Sequence, residues 1–202
     1  GQQTFDLTFK NDSIGRYSLH VPGRHNLTNA MAAALMALVL GIDPDAIRKS
    51  LAEFPGIWRR FEKIGKYSGK IIISDYAHHP EGVEKTLQAA KQFYPNSKIL
   101  TVFQPHQKNR TSKLYKEFVE SLKRCEGLII TEIYSVVGRE KVDIDISSKD
   151  LVNDLKPFVK DIAYAEDLNA AESLIKSKID QYDIVLFMGA GDVDNLARKL
   201  IS

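Results

Sequence analysis

The seven residues from Ser74 to Pro80 bring together several groups that donate, accept or hold protons. They read Ser-Asp-Tyr-Ala-His-His-Pro and follow the apolar run of residues 71–73, which predicts a buried strand. One carboxylate, one phenol and two imidazoles therefore stand at a strand end. The proline predicts the start of a helix, whose N-terminus attracts anions. Turn formation alone explains one such residue, but four at one place favour a ligand-binding loop.

A second polar loop, residues 104–110, follows the apolar run of residues 99–103. Its His106 and Arg110 flank a turn into a predicted helix. The planar guanidinium of Arg110 suits a carboxylate or a phosphate. Beside the first loop, this one predicts a pocket shared by two neighbouring strand ends.

Zinc binding is the competing interpretation for His78, His79 and His106. Adjacent histidines point in different directions unless the backbone bends, and no cysteine or second carboxylate completes a ligand set. We therefore expect no metal to be held by this chain.

Two further signals lie in the first 60 residues. Asn26 and Asn29 are three apart at a predicted helix start, so they share one face. Their carboxamides suit either a nucleobase edge or plain N-capping. Arg59 and Arg60 lie between the two halves of the chain. They fit either a solvated surface or an electrostatic clamp on a phosphate, and the sequence leaves this choice open.

The segment of residues 189–194, Gly-Ala-Gly-Asp-Val-Asp, begins like a dinucleotide-binding fingerprint. Asp194 stands where that fingerprint has its third glycine. An acid there opposes close helix–strand packing and repels pyrophosphate. We therefore predict a tight strand-to-helix turn whose amides can meet a substrate carboxylate.

The elements that must position these groups alternate along the chain. A β-hairpin (residues 5–21) and helices at residues 26–40 and 45–53 come first, followed by an irregular segment at residues 55–69. Predicted buried strands then cover residues 71–73, 99–103, 128–133, 162–165 and 184–188, and predicted helices cover residues 81–93, 112–123, 148–158, 167–179 and 193–201. This alternation predicts an α/β fold: a Rossmann-like, mostly parallel sheet with helices on both faces. Such folds bind ligands at the carboxyl ends of their strands.

Composition narrows the class of protein. The 202 residues are 44% apolar and 27% charged, as in ordinary folded proteins, and the net charge of +2 favours neither nucleic acid nor membrane. No apolar run approaches the roughly 20 residues of a membrane span. The lone Cys125 excludes an internal disulfide, so we expect a reducing compartment, the cytoplasm. The first residues contain neither a signal peptide nor a starting Met, which indicates a piece of a longer protein.

Several motifs, taken in order, resemble those of the Mur ligases. They are Gly23-Arg24-His25-Asn26-x-x-Asn29-Ala30, Trp58-Arg59-Arg60-Phe61-Glu62, Asp75-Tyr76-Ala77-His78-His79-Pro80, Phe103-Gln104-Pro105-His106 with Arg110-Thr111, and Gly189-Ala190-Gly191-Asp192. The resemblance covers essentially the whole chain. Its most specific parts are the Asp-Tyr-Ala-His-His-Pro and Phe-Gln-Pro-His segments.

The resemblance implies two domains. Residues 1–57 are expected to be the C-terminal remnant of a central ATP-binding domain, and residues 58–202 the Rossmann-like C-terminal domain of the family. The family's glycine-rich phosphate loop is absent from this sequence. We therefore expect the chain alone to be inactive and the ligands of Mg²⁺ to lie mainly in the missing central part.

The resemblance also implies the reaction and its partners. The complete protein is expected to be an ATP-dependent ligase of peptidoglycan precursor synthesis that joins L-alanine to UDP-N-acetylmuramate through an acyl phosphate. Its partners are these small molecules and the missing N-terminal and central domains, with no nucleic acid or membrane.

Residue roles follow from matching positions in the family. Asn26 and Asn29 are expected at the adenine of ATP, with His25 beside them. Arg60 is expected to reach the terminal phosphate as a catalytic group, and Asp75 to accept from the ribose or help the domains close.

Four more residues, Tyr76, His78, His106 and Arg110, are expected at the alanine and acyl end of the substrate. The family usually has Arg where this chain has Gln107, which leaves open another amino acid or a murein-peptide ligase. Two more interpretations stay open: a free-standing Rossmann-like nucleotide-binding module, and a metallohydrolase that uses the three histidines.

Overall fold

A computed structural model describes residues 2–135 and 145–202, except the side chain of His25. The chain forms two compact units, Gly1–Trp58 with Gln88–Pro95 and Arg59–Leu87 with Asn96–Ser202. None of the described helices has the length and apolarity that a membrane span requires.

The first unit contains a hairpin followed by two helices. Strands β1 (Gln3–Phe9) and β2 (Asp12–Leu19) pair antiparallel, which confirms the predicted hairpin. Helices α1 (Arg24–Val39) and α2 (Pro44–Glu53) follow. Because alternate strand residues face the same side, Leu7 and Tyr17 are both buried against α1 and α2 residues.

Local hydrogen bonds confirm the predicted end of α1 and the predicted start of α2, whereas α1 begins at Arg24, two residues before the predicted start. Gly41 has φ +80° just past α1, and the amides of Gly41 and Ile42 donate to the carbonyls of Leu38 and Ala37. This is a Schellman motif, which a glycine favours. The Asp43 carboxylate accepts from the Ala46 amide at 3.2 Å and caps α2.

The second unit is a six-stranded sheet with helices. The strands are β3 (Glu62–Tyr67), β4 (Lys70–Asp75), β5 (Ile99–Phe103), β6 (Gly127–Thr131), β7 (Asp161–Ala165) and β8 (Ile184–Met188). The helices are α3 (Pro80–Phe93), α4 (Lys108–Lys113), α5 (Tyr115–Leu122), α6 (Ser148–Leu155), α7 (Leu168–Lys178) and α8 (Val193–Ile201), with a 3-10 turn at Ile179–Gln181. Of α3, the part up to Leu87 belongs to this unit and the part from Gln88 to the first unit. The order is β3-β4-β8-β5-β6-β7, and β3 alone among them runs antiparallel to its neighbour.

Helices cover both faces of this sheet, as predicted. Val102 and Phe187 point to one face, where they pack with residues of α7 and α8. The adjacent Phe103 points to the other face and contacts Phe118 of α5, with ring centroids 5.6 Å apart. The central strands are therefore apolar on both sides, and each appears in the sequence as a continuous run of apolar residues.

Two predictions about elements are wrong. Residues 62–67, placed in the irregular segment, form the edge strand β3, which a two-residue turn at Ser68 and Gly69 joins to β4; both turn residues have positive φ, +48° and +77°. The single helix predicted at residues 112–123 begins at Lys108 and breaks at Leu114. No glycine or proline marks this break in the sequence.

Strand order brings the polar loops together. In the sheet, β8 lies between β4 and β5, although it is the last strand in the sequence. The loops after β4, β8 and β5 therefore lie side by side at the carboxyl edge, where ligands bind in such folds.

Gly127 at the start of β6 gives a test of the packing. A Cβ there would lie 2.0 Å from the Oη of Tyr182, whose hydroxyl donates to Asp161. Gly127→Ala is expected to lower the free energy of unfolding by about 1–3 kcal/mol in urea titration, since the held ring cannot yield freely. Gly82→Ala is the control, because its Cβ would meet the nearest atom, the Cβ of Ala77, at 3.7 Å. This helical substitution is expected to be neutral or to stabilise by up to about 1 kcal/mol. Equal effects of the two variants would contradict the prediction.

Candidate functional site

The two adjacent arginines of the second unit have different environments. Arg59 is only 6% exposed, and its Nη2 donates to the carbonyl oxygens of Gly189 and, at 3.1 Å, Gly191. Arg60 is exposed. Both guanidinium groups lie over the ring of Tyr76, at 4.7 Å and 5.8 Å from its centroid. Arg59 therefore joins two loops of the protein, while Arg60 remains accessible to a ligand.

The backbone of this turn is strained and held on both sides of Arg60. Arg59 and Phe61 have φ values of +53° and +49°, which bulky residues rarely adopt. The Arg59 amide donates to the Glu62 carboxylate at 2.9 Å, and the Phe61 amide donates to Asp75 at 2.7 Å. The Tyr76 amide also donates to the Arg59 carbonyl at 2.8 Å. These bonds fix the direction in which Arg60 leaves the backbone.

Asp75 organises the loop between β4 and α3. Its carboxylate is 7% exposed, and Oδ1 accepts from the Ala77 amide at 2.8 Å and from the Thr86 hydroxyl at 3.2 Å. Oδ2 accepts from Phe61. Both oxygens thus bind the protein itself, and Asp75 joins the Arg60 turn to its own loop. Its expected role at the ribose stays a prediction.

Four aromatic rings form a row at the carboxyl edge of the sheet. Tyr76 and His78 meet edge to face with centroids 5.2 Å apart, and His78 meets His106 in the same way at 5.9 Å. His106 stacks on Tyr134 at 5.5 Å, and Nη1 of Arg110 lies 3.4 Å from Nδ1 of His106. The structure therefore brings together the four residues expected at the substrate end, with two more arginines at the Tyr76 end of the row.

Tyr134 is a site residue that the sequence analysis did not identify. Its amide donates to the Pro105 carbonyl at 2.8 Å, and its carbonyl accepts from the Gln107 amide at 2.9 Å, so the loops after β5 and β6 pair. Gln107 adopts φ +70° to make this contact. The signal available was position alone, since Tyr134 follows a predicted strand. The rule that ligands bind at strand ends also predicts a ligand-binding loop at residues 134–145, and residues 136–144 of it lie outside the described residues.

The glycine-rich turn after β8 approaches the same loops. A Cβ on Gly191 would lie 2.4 Å from Oε1 of Gln104 and 2.6 Å from Cγ of Tyr134, so only glycine fits there. The Gln104 amide group donates to Asp192 at 2.7 Å and accepts from the Val193 amide at 3.1 Å. The prediction of a tight strand-to-helix turn is thereby confirmed.

A cavity of about 220 Å³ opens beside Tyr134. Gln104 and Asp192 line it, with residues from the ends of β6 and β7. The other lining residues are Thr131, Glu132, Ile133, Ser135, Glu166, Asp167 and Leu168. It adjoins the ring row at the edge of the sheet where the fold is expected to bind ligands.

The asparagines lie in the first unit, and neither of them is the N-cap of α1. That position belongs to Gly23. The Nδ2 of Asn26 donates to the Pro22 carbonyl at 2.7 Å, and Asn29 is exposed on the same helix. The side chain of His25 lies outside the described atoms.

His78 is half-buried, and its Nδ1 lies 2.9 Å from the Tyr76 carbonyl, an arrangement in which Nδ1 donates. Burial lowers the pKa of His78 below its ordinary value, and the charges of Arg110 and Arg60 act in the same direction. The contact with the Tyr76 carbonyl acts in the opposite direction. His78 is therefore neutral at neutral pH, with Nε2 as an acceptor.

We expect an NMR titration of His78 to show a midpoint below 6.5, the ordinary value. Because the folded pKa is lower than the unfolded one, the folded state takes up the proton less readily. The contribution of neutral His78 to the stability of the folded state is present above pH 6.5 and is lost as the pH falls through the folded pKa. A bound carboxylate beside the ring should raise the midpoint. A midpoint at or above 6.5 without ligand would contradict the prediction.

Within residues 2–135 and 145–202, no three His, Cys, Asp or Glu side chains cluster in a way that could hold a metal ion. The guanidinium of Arg110 lies beside His106, and its positive charge opposes a second cation there.

The fold and the site define a class of protein: an open α/β domain with a cationic, aromatic site at the carboxyl edge of its sheet. Comparison of sequences then assigns the chain to a family. The family model of the Mur ligase glutamate ligase domain matches residues 59–191, so the chain belongs to the Mur ligase family. UDP-N-acetylmuramate–L-alanine ligase of Alkaliphilus metalliredigens is 42% identical over the whole chain, and that of Caldanaerobacter subterraneus is 37% identical. The chain spans 43% of the length of either relative.

Among solved structures, the UDP-N-acetylmuramate–alanine ligase of Thermotoga maritima is similar with a TM-score of 0.73 and 30% identity. The match covers 92% of this chain and 39% of that one. The family resemblance inferred from the motifs is confirmed.

Proposed function

We propose that this chain is the C-terminal part of an ATP-dependent ligase that joins L-alanine to UDP-N-acetylmuramate. The observation that carries the proposal is the row of Tyr76, His78 and His106, which ends at Arg110 on one side and at the exposed Arg60 on the other. Such an arrangement offers one cation for a phosphate and another for a carboxylate.

The proposal includes two domains, with residues 1–57 as the end of a central ATP-binding domain and residues 58–202 as the C-terminal domain. The boundary of the compact units and the start of the family match, both at Arg59, support it. Eight large apolar side chains of the first unit are 38–72% exposed: Met31, Met36, Val39, Leu40, Ile42, Phe54, Ile57 and Trp58. An apolar surface of this extent is what a cut through a larger core leaves.

Roles in ATP binding are proposed for residues of both units, each unit taken by itself. In the first, the carboxamides of Asn26 and Asn29 suit the adenine edge, with His25 beside them. In the second, Arg60 offers an exposed guanidinium that fits a phosphate. ATP would supply the phosphoryl group that activates the sugar carboxylate, with ADP as the leaving group, and Mg²⁺ would be held mainly by residues of the central domain outside this chain. Arg60 then stabilises charge on the transferring group, while Asp75 holds the turn from which Arg60 projects.

The acceptor side uses the ring row. Arg110 and His106 bind the carboxylate of the amino acid, and Tyr76 and His78 lie against the acyl end. Neutral His78 presents Nε2 as an acceptor for a proton of the attacking amine.

The test is steady-state phosphate release by the complete ligase, expressed from its own start codon. We expect release only with ATP, UDP-N-acetylmuramate and L-alanine together, and none from the 202-residue chain alone. Release with a murein tripeptide in place of L-alanine would establish the murein-peptide ligase instead. Turnover by the isolated chain would overturn the two-domain proposal.

Variants of Gln107 test which amino acid the ligase accepts as its substrate. It lies between His106 and the helix that carries Arg110, where the family usually has arginine. Gln107→Arg is expected to lower KM for L-alanine by about 3- to 10-fold, since a charge-assisted contact to a carboxylate adds about 1 kcal/mol. Gln107→Met is the control without added charge. A change in preference toward another amino acid would contradict L-alanine as the natural acceptor.

A further inference from the structure

Asp194, which stands where the dinucleotide-binding fingerprint has its third glycine, is buried in the protein. It is 3% exposed in the first turn of α8. Its Oδ1 accepts from the Ser74 hydroxyl at 2.6 Å, and its Oδ2 accepts from Nε of Arg198 at 3.0 Å. From the sequence, an acid at this position is expected to oppose packing. The two donors compensate for its burial.

Arg198 extends this contact to the arginine turn. Its Nη2 donates at 2.7 Å to Oε2 of Glu62, and the same oxygen accepts from the Arg59 amide at 2.9 Å. A continuous path therefore runs from Ser74 through Asp194, Arg198 and Glu62 to the residue before Arg60. The carboxylate of Glu62, and after it that of Asp194, raises the pKa of Arg198 above its ordinary value. Arg198 is therefore always charged.

The turn requires such a restraint. Bulky residues at positive φ are strained, and two of them, Arg59 and Phe61, flank Arg60. Asp75 holds the Phe61 amide on one side. Glu62 holds the Arg59 amide on the other, but Glu62 is itself oriented by Arg198. Without that partner, one of the two anchors can rotate.

We propose that Arg198 is a positioning residue for Arg60: through Glu62 it holds the turn that aims the exposed guanidinium at the transferring phosphate. This rests on the proposed function of Arg60. Arginine suits the task because its planar fork meets both carboxylates at once, whereas a lysine ammonium reaches them as a single point charge.

Arg198→Met in the complete ligase is the first variant. We expect kcat to fall about 10- to 100-fold with KM for ATP within about twofold, as for a misaimed rather than an absent group. Lys199→Met is the matched control, since Lys199 is the next residue of α8 and pairs with Glu172 instead. It should leave kcat unchanged. Arg198→Lys should recover only part of the loss.

A double-mutant cycle with Arg60→Ala distinguishes positioning from general stability. If Arg198 acts through Arg60, adding Arg198→Met to Arg60→Ala should reduce kcat no further. Hydrogen exchange should show faster exchange at the Arg59 amide in Arg198→Met but not in Lys199→Met. Additive losses in kcat, or unchanged exchange at Arg59, would overturn the proposal.

A second variant covers the case in which Arg198→Met fails to fold. Glu62→Gln keeps an oxygen for the Arg59 amide but weakens the pair with Arg198, so it should reproduce the loss in kcat to a smaller degree. Full activity of Glu62→Gln would overturn the inference. If Arg60→Ala itself leaves kcat unchanged, the proposed function of Arg60 fails instead, which is a separate outcome.

Discussion

Arg60→Ala in the complete ligase is expected to lower kcat by about 10²- to 10³-fold while KM for ATP changes by less than about threefold. The guanidinium is exposed and its backbone is fixed on both sides, which suits the proposed role of Arg60 in stabilising charge during phosphoryl transfer. Its loss should act on the transition state more than on the ground state. Steady-state kinetics with ATP varied at saturating sugar and amino acid measure both quantities.

Lys63→Ala is the matched control for Arg60→Ala, since it removes one positive charge from an exposed position on the adjacent edge strand β3. It should leave kcat and KM near their original values. Equal rises in KM and falls in kcat for Arg60→Ala would indicate uniform binding of the phosphate rather than a catalytic role.

Arg59 should behave differently from its neighbour. Its buried side chain donates to carbonyls of the glycine-rich turn, so Arg59→Met should lower the melting temperature, whereas Arg60→Ala should not. The sequence presents two consecutive arginines and offers no basis for telling them apart. Only the positive φ values at Arg59 and Phe61, set by tertiary hydrogen bonds, send one guanidinium inward and leave the other exposed.

The central strands were predictable because burial on both faces makes their residues continuously apolar. Strands β5 and β8 have the predicted bounds, residues 99–103 and 184–188. The edge strand β3 was missed because it is half polar, Glu-Lys-Ile-Gly-Lys-Tyr, and belongs to an antiparallel pair. Its signal was the Ser68-Gly69 pair, which suits a two-residue hairpin turn.

The site was predictable where it depends on strand ends and not where it depends on strand order. The loops after β4 and β5 were expected to share a pocket, and the His78–His106 contact confirms that they meet. Tyr134 and Arg198 were missed because one partner of each, His106 and Glu62 respectively, is distant in sequence. These pairs become neighbours through the strand order β3-β4-β8-β5-β6.

Asp75→Ala is expected to lower the free energy of unfolding by about 3 kcal/mol or more, because each buried donor left without an acceptor costs roughly 1–3 kcal/mol. The donors are the amides of Phe61 and Ala77 and the hydroxyl of Thr86. Urea titration of the complete ligase measures the loss. Thr86→Val removes one of these donors while leaving the carboxylate in place, so it should cost only about 1 kcal/mol.

Asp75→Asn separates the structural role of this residue from a contact with ribose. The amide keeps one acceptor oxygen, so the fold should persist, but its NH₂ faces one of the former donors and loosens the Arg60 turn. We therefore expect kcat to fall more than KM for ATP rises, as with a positioning residue. A rise in KM for ATP with unchanged kcat and stability would instead show that the carboxylate acts mainly by binding the nucleotide. In that case the contacts to Phe61 and Ala77 would be secondary to a ligand interaction that Asp75 makes directly.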